Sequence, residues 1–155
     1  MDKLTYDQAS KLCKLRPQGI ATINYQAGEE TIPVQLKTEL SLVETSAFVD
    51  YVILGSFTED GDYIPEYQEL MMFGAVLRFL SNVPLPETED SECKQELLDL
   101  AALYELMNSM DLISRIRAMY NSKDEAKRRL WKLFDRLECM VLEKLEFRRQ
   151  QMASK

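Results

Sequence analysis

The sequence predicts a mainly α (α+β) fold: a helical bundle with one N-terminal two-stranded β-hairpin and a long C-terminal amphipathic helix. Three observations carry this. Over residues 122–150 no glycine or proline interrupts an apolar pattern of helical period. Residues 20–25 and 31–36 alternate in side-chain character about a glycine-containing turn, the pattern of paired strands. Ser/Thr-x-x-Glu/Gln patterns recur where helices are expected to start.

Thr5-Tyr6-Asp7-Gln8 is a capping box that opens a short helix through about residue 14, which Arg16-Pro17-Gln18-Gly19 ends. In the first strand Ala21, Ile23 and Tyr25 share a face, Gln26-Ala27-Gly28-Glu29 turns the chain, and Ile32, Val34 and Leu36 share a face of the second. Pro33 has no N–H to donate, so the second strand is expected to keep a free edge. A lone two-stranded hairpin is marginal in water. This one must pack on the chain's own helices or pair its edge with another subunit.

Ser41-Leu42-Val43-Glu44 caps the next helix, to about residue 54, with Gly55 as its stop. Leu42, Val43, Ala47, Val49, Val52 and Ile53 make it apolar on more than one face, so burial is expected. Residues 57–65 read as an acidic loop. Asp60-Gly61-Asp62 lacks the ligand spacing and closing Glu of an EF-hand, so its carboxylates read as solvated. Pro65 suits the first position of a core helix to about residue 80, containing Leu70, Met71, Met72, Phe73, Val76, Leu77 and Phe79.

Residues 82–90 hold two prolines and a run of acids and read as a linker. Ser91 or Thr88 then caps a helix to about residue 107, with Leu97, Leu100, Ala101, Leu103 and Tyr104 inward. Asp111 opens a shorter one through Ile113, Ile116 and Tyr120. Ser122-Lys123-Asp124-Glu125 is a capping box for the long helix, with acids at the positive end of its dipole and Lys144, Arg148 and Arg149 towards the negative end. The whole of 1–155 reads as a single domain: a hairpin-plus-helix part (1–81), the linker (82–90) and a helical part (91–155).

In the long helix Leu130, Phe134, Leu137, Val141 and Leu145 recur in steps of four, three, four and four. Trp131, Leu133, Met140 and Leu142 widen that stripe beyond a two-stranded coiled-coil seam. Two readings fit: the central helix of a bundle, or an interface between subunits. The candidate interface comprises Leu130, Trp131, Phe134, Leu137 and Val141 for packing, with Arg128, Arg129 and Arg136 for charge pairing.

Nineteen basic against 26 acidic residues leave a net charge of −7, which argues against a general nucleic-acid coat. The charge is uneven: residues 1–80 carry −6, 81–121 carry −5 and 122–155 carry +4. An acidic body with a basic helix can fold onto itself or join copies head to tail. A phosphate-binding patch on Lys127, Arg128, Arg129, Lys132 and Arg136 is the alternative, interrupted by Asp135, Glu138 and Glu143. The chain has no histidine, and Cys13, Cys93 and Cys139 show no metal-ligand spacing, which argues against zinc and against a Cys–His nucleophile. The cysteines read as small buried apolar residues in a reducing compartment.

No cofactor is implied. Glycines 19, 28, 55, 61 and 74 are scattered, and no phosphate loop, G-x-S-x-G or H-E-x-x-H occurs, so the expectation is a protein that is not an enzyme. The longest apolar run, residues 70–77, is too short to span a bilayer, and Met1-Asp2-Lys3-Leu4 does not open a signal peptide. A soluble intracellular protein with no membrane contact is expected.

Tyr6, Arg16-Pro17-x-Gly19 before a hairpin, Phe48-Val49-x-x-Val52, Gly61-x-Tyr63-x-Pro65 and Phe79-Leu80-Ser81-Asn82 follow one another in order. This succession, over about residues 5–85, resembles a group of small structural and morphogenesis proteins from tailed bacteriophages of Gram-positive hosts. The resemblance implies a head–tail connector piece, tail component or tail assembly chaperone, in the host cytoplasm or the virion. The partners it implies are other copies of the chain or other phage structural proteins, and it brings no catalytic residues. The alternative is a small acidic phage inhibitor of a host enzyme or defence system, with the 59–62 loop and the linker presenting carboxylates in place of phosphates.

Overall fold

The computed structural model describes residues 1–14, 19–83 and 93–153. In order they form α1 (Tyr6–Lys14), β1 (Ile20–Ala27), β2 (Glu30–Lys37), α2 (Leu42–Gly55), α3 (Pro65–Ala75), a π-helical turn (Val76–Leu80), α4 (Cys93–Met110), α5 (Leu112–Arg117), a 3-10 turn (Ala118–Asn121) and α6 (Glu125–Ala153). The class is the mainly helical α+β one, with an N-terminal hairpin and a long C-terminal helix. Arg16-Pro17-Gln18, most of the acidic linker and the cap at Ser91 or Thr88 lie outside the described residues, as does the side chain of Leu97.

The hairpin pairs Ala21 with Leu36, Ile23 with Val34 and Tyr25 with Ile32, so the alternation puts one apolar face together. Ala21, Ile23, Val34 and Leu36 are buried against the helices. Gly28 holds φ +66° at the first central position of the turn, where a II′ hairpin turn favours glycine. The free edge expected of the second strand is partly closed. Ser81 bridges to Leu36, the Asn82 N–H donates to the Gln35 carbonyl (3.1 Å), and the Gln35 N–H donates to Asn82 Oδ1 (3.0 Å). Among the described residues, no strand other than β1 pairs with β2 around Pro33.

α2 starts on a complete capping box. The Glu44 N–H donates to Ser41 Oγ (3.1 Å) and the Ser41 N–H to Glu44 Oε1 (3.2 Å), while Lys37 Nζ lies 3.3 Å from the same carboxylate. Ser41→Ala is expected to cost about 1 kcal/mol in urea unfolding. The backbone N–H of Ser41, helped by Lys37, holds the Glu44 carboxyl below its ordinary value of 4.5. The lowered folded-state value means the carboxylate stabilises the fold above that ordinary value, and the contribution disappears as pH falls through the lowered one. The stability difference between wild type and Glu44→Gln should therefore shrink over that acidic window, as thermal unfolding across a pH series will show.

Pro65 is the first residue of α3. The helix expected to run unbroken to residue 80 instead changes to π geometry at Val76, and the Ser81 N–H donates to the Val76 carbonyl (3.1 Å). The wider turn keeps Val76, Leu77 and Leu80 buried and sends Arg78 outward, over the ring of Tyr51. It also delivers Ser81 and Asn82 to the edge of β2.

α4 extends to Met110, and its inward residues are Leu103, Leu106, Met107 and Met110. Ala101 and Tyr104, expected inward, are exposed, because the 3.6-residue period through Met110 selects the adjoining face. Asp111 takes a left-handed conformation (φ +48°) between α4 and α5, one that Asp tolerates better than most residues. Leu112, Ile116 and Met119 then point inward, whereas Tyr120 is exposed with its ring 6.3 Å from that of Trp131.

The capping box expected at Ser122 does not form. Ser122 Oγ accepts from the Asp124 N–H (3.2 Å), Asp124 Oδ1 accepts from the Ala126 N–H (3.0 Å), and Glu125 turns forward to Arg129 (2.7 Å). Ser122 is extended after the 3-10 turn, so the cap moves two residues on, to Asp124, and α6 runs to Ala153. β1, α2, α5 and the 3-10 turn all pack on α6, which makes it the central helix.

Candidate interaction surface

The residues first assigned to a subunit interface divide sharply. Leu130, Phe134, Leu137 and Val141 are at most 2 % exposed and lie in the chain's own core, so the interface reading is corrected for these four. The hairpin, α2 and α5 already cover that side of α6 and leave no room for a partner. Trp131 is half-buried against Tyr120. Arg128 donates to the Ser122 carbonyl and Arg129 pairs with Glu125, so both serve the start of α6. Arg136 is exposed and forms no ion pair among the described residues. Cys139, expected to be buried, is exposed on α6; the side chains of Cys13 and Cys93 lie outside the described residues.

The open apolar surface is elsewhere, along α2 and the C-terminal half of α6. α2 buries Thr45, Phe48, Val49, Val52 and Ile53 on one side. It leaves Leu42 85 %, Val43 78 % and Leu54 68 % exposed, which corrects the expectation of a fully buried helix. Across from it, α6 exposes Phe147 (61 %) and Met140 (37 %). Between the two helices lies an open cleft of about 490 Å³, lined by Leu42, Thr45, Ser46, Val49, Met140, Glu143, Lys144 and Phe147.

Its lining carries one carboxylate, Glu143, and one ammonium, Lys144. Lys144 is tied to Asp50 across the cleft, which neutralises the charge at its centre. Glu143 forms no ion pair among the described residues. Of the neighbouring carboxylates on these helices, Glu44 pairs with Lys37 and Glu146 with Arg149.

Further along α6, Arg148 lies 4.3 Å over the ring of Phe57 and Arg149 5.3 Å over that of Tyr63. Such cation–π contacts are worth roughly 0.5–2 kcal/mol each. They fasten the acidic loop to the end of α6. The loop closes on itself through Thr58 N–H to the Asp62 carbonyl (2.8 Å) and Asp62 N–H to Thr58 Oγ1 (3.1 Å), with Gly61 at φ +87°. Glu59, Asp60 and Asp62 remain exposed. Among the described residues no three His, Cys, Asp or Glu side chains converge as metal ligands, and no helix is long and apolar enough to cross a membrane.

Sequence reasoning missed the cleft because α2 is apolar around most of its circumference. The available signal was composition: α2 has only two charged residues, Glu44 and Asp50, in 14, more apolar surface than one contact face uses. Compared with known protein families, curated proteins and solved structures, the chain matches none. Fold and surface together define a mainly helical α+β chain that exposes an open, largely apolar cleft between α2 and α6.

Proposed function

We propose that the chain is a non-enzymatic structural or assembly protein of a tailed bacteriophage, acting through protein–protein contacts in the host cytoplasm or the virion. The observation that carries this reading is the exposed apolar α2–α6 cleft. Monomeric soluble proteins rarely leave several large apolar side chains together in water, and where they do the patch marks a contact site. The class follows from the resemblance of residues 5–85 to phage structural and morphogenesis proteins: a head–tail connector piece, tail component or tail assembly chaperone.

The test is genetic. In the genome that encodes this chain, Met140→Asp combined with Phe147→Asp should leave DNA replication intact and stop particle production, with unjoined or incomplete particles accumulating. Phe147 is 61 % and Met140 37 % exposed, so circular dichroism and urea unfolding of the double variant should show a folded chain. Unchanged particle yield from the double variant overturns the reading.

A second reading draws on the 57–63 loop, whose three exposed carboxylates are held on a closed, arginine-latched turn. As an inhibitor the chain would compete with DNA for a nuclease, and Glu59→Gln, Asp60→Asn and Asp62→Asn together would abolish the competition. Equal competition by that variant removes this reading.

A further inference from the structure

We infer that the first turns of α6, together with Tyr120, hold single-stranded nucleic acid. Phosphates lie on a ridge of cations, and an unpaired base stacks at the Tyr120–Trp131 pair. This goes beyond the assembly reading and does not depend on it.

The local charge is the first observation. Residues 117–138 carry seven cations against four carboxylates, a net of +3 in a chain whose total is −7. Three of those carboxylates are occupied: Glu125 holds Arg129, Glu138 holds Arg117, and Asp124 caps α6 through the Ala126 N–H. Lys123, Lys127, Lys132 and Arg136 form no ion pair among the described residues, and Asp135 is the one carboxylate of the stretch left to oppose them. Arg128 donates to the neutral Ser122 carbonyl (2.5 Å) and so keeps its charge. Arg128, Lys132 and Arg136 follow in steps of four, which makes one ridge about 12 Å long on the side of α6 away from Leu130 and Leu137. Charges more than about 8 Å away are largely screened at physiological ionic strength, so the sign of the ridge governs a strand laid along it.

The aromatic pair is the second. Tyr120 is 62 % exposed, with its ring 6.3 Å from that of Trp131 and tilted by 54°. Trp131 comes four residues after Lys127 and three after Arg128, so both cations neighbour it on the helix surface. Cations beside an open aromatic ring are the two parts of a single-strand surface, because every unpaired base has a π-face to stack. In a duplex the bases stack on one another and cannot reach Tyr120. A single strand also has the lower charge density, so the acidic remainder of the chain repels it less.

Trp131 is the chain's only tryptophan, so its emission reports on this place alone. The full chain is titrated at about 50 mM salt with oligodeoxythymidylate or oligouridylate of about 12 nucleotides. Emission should be quenched saturably, and the strand bound more tightly tells DNA from RNA. Log affinity should fall against log salt with a slope near −2, about −0.7 for each of three ridge cations. Lys132→Gln with Arg136→Gln, both exposed and unpaired, should weaken binding about tenfold or more and bring the slope towards −0.7. Tyr120→Ala should weaken binding about tenfold and leave the slope unchanged, since stacking releases no counterions. Absence of quenching in the wild type overturns the inference, as does unchanged affinity in either variant. A duplex of the same length bound as tightly overturns it too, by showing phosphate contact without stacking. Retention on anionic vesicles with no oligonucleotide binding overturns it in favour of a membrane surface. None of these failures touches the assembly reading, which is tested at Met140 and Phe147 by particle yield.

Discussion

Phe134→Ala is expected to lower the stability of the fold by about 3–5 kcal/mol, the cost of removing a large buried aromatic ring and leaving a cavity. Phe134 is 2 % exposed at the centre of α6, one turn from Leu130 and from Leu137, both fully buried, and the Arg117 guanidinium lies 5.8 Å over its ring. Arg117 is itself held by Glu138 (2.7 Å), so the lid over the ring is tied in place and cannot collapse freely into the space. Because a domain of this size has about 5–15 kcal/mol in total, the loss is a large share of it. Urea unfolding should show the midpoint fall while the denaturant slope stays constant. A loss under about 1 kcal/mol, the range of surface substitutions, would mean that Phe134 faces away from the core and that the interface reading of the stripe must be restored.

Leu36→Ala should cost about 2–5 kcal/mol and should act on a different part of the molecule. Leu36 is fully buried, lies opposite Ala21 and is bridged to Ser81 at the end of the π-helical turn. It therefore joins the hairpin to the segment that leaves the core. A two-stranded hairpin has little stability without such packing. Amide exchange in β1 and β2 should accelerate more than exchange in the centre of α6, since weakened docking opens the hairpin locally. Equal acceleration everywhere would show that hairpin and helices open as one unit.

Much of this fold could be read from local chemistry. The Thr5 and Ser41 caps need only the residues within one turn, and both form as the pattern requires. The hairpin follows from alternation, with a glycine where the turn requires positive φ. The core positions of α6 follow from their spacing, though spacing alone left two candidates for what covers them. The misreadings have a common cause. At Ser122 two overlapping caps were possible, and the extended backbone after the 3-10 turn selected Asp124. In α2 the apolar residues surround the helix, so no periodicity could say that Leu42 and Val43 face water while Phe48 and Val52 do not. In α3 nothing local forecast the π-helical turn, because its reason lies 40 or more residues away at the edge of β2.

By itself, then, the sequence determined which segments are helix or strand, where most of them begin, and that α6 carries the widest apolar stripe. These are properties of hydrogen bonds and side chains within a few residues of one another. Only the tertiary structure decided which apolar face each helix spends on the core and which it leaves open. That choice depends on how many elements converge on a given face. On α6 the hairpin, α2 and α5 cover Leu130, Phe134 and Leu137, whereas around Met140 and Phe147 the coverage stops and an apolar cleft remains.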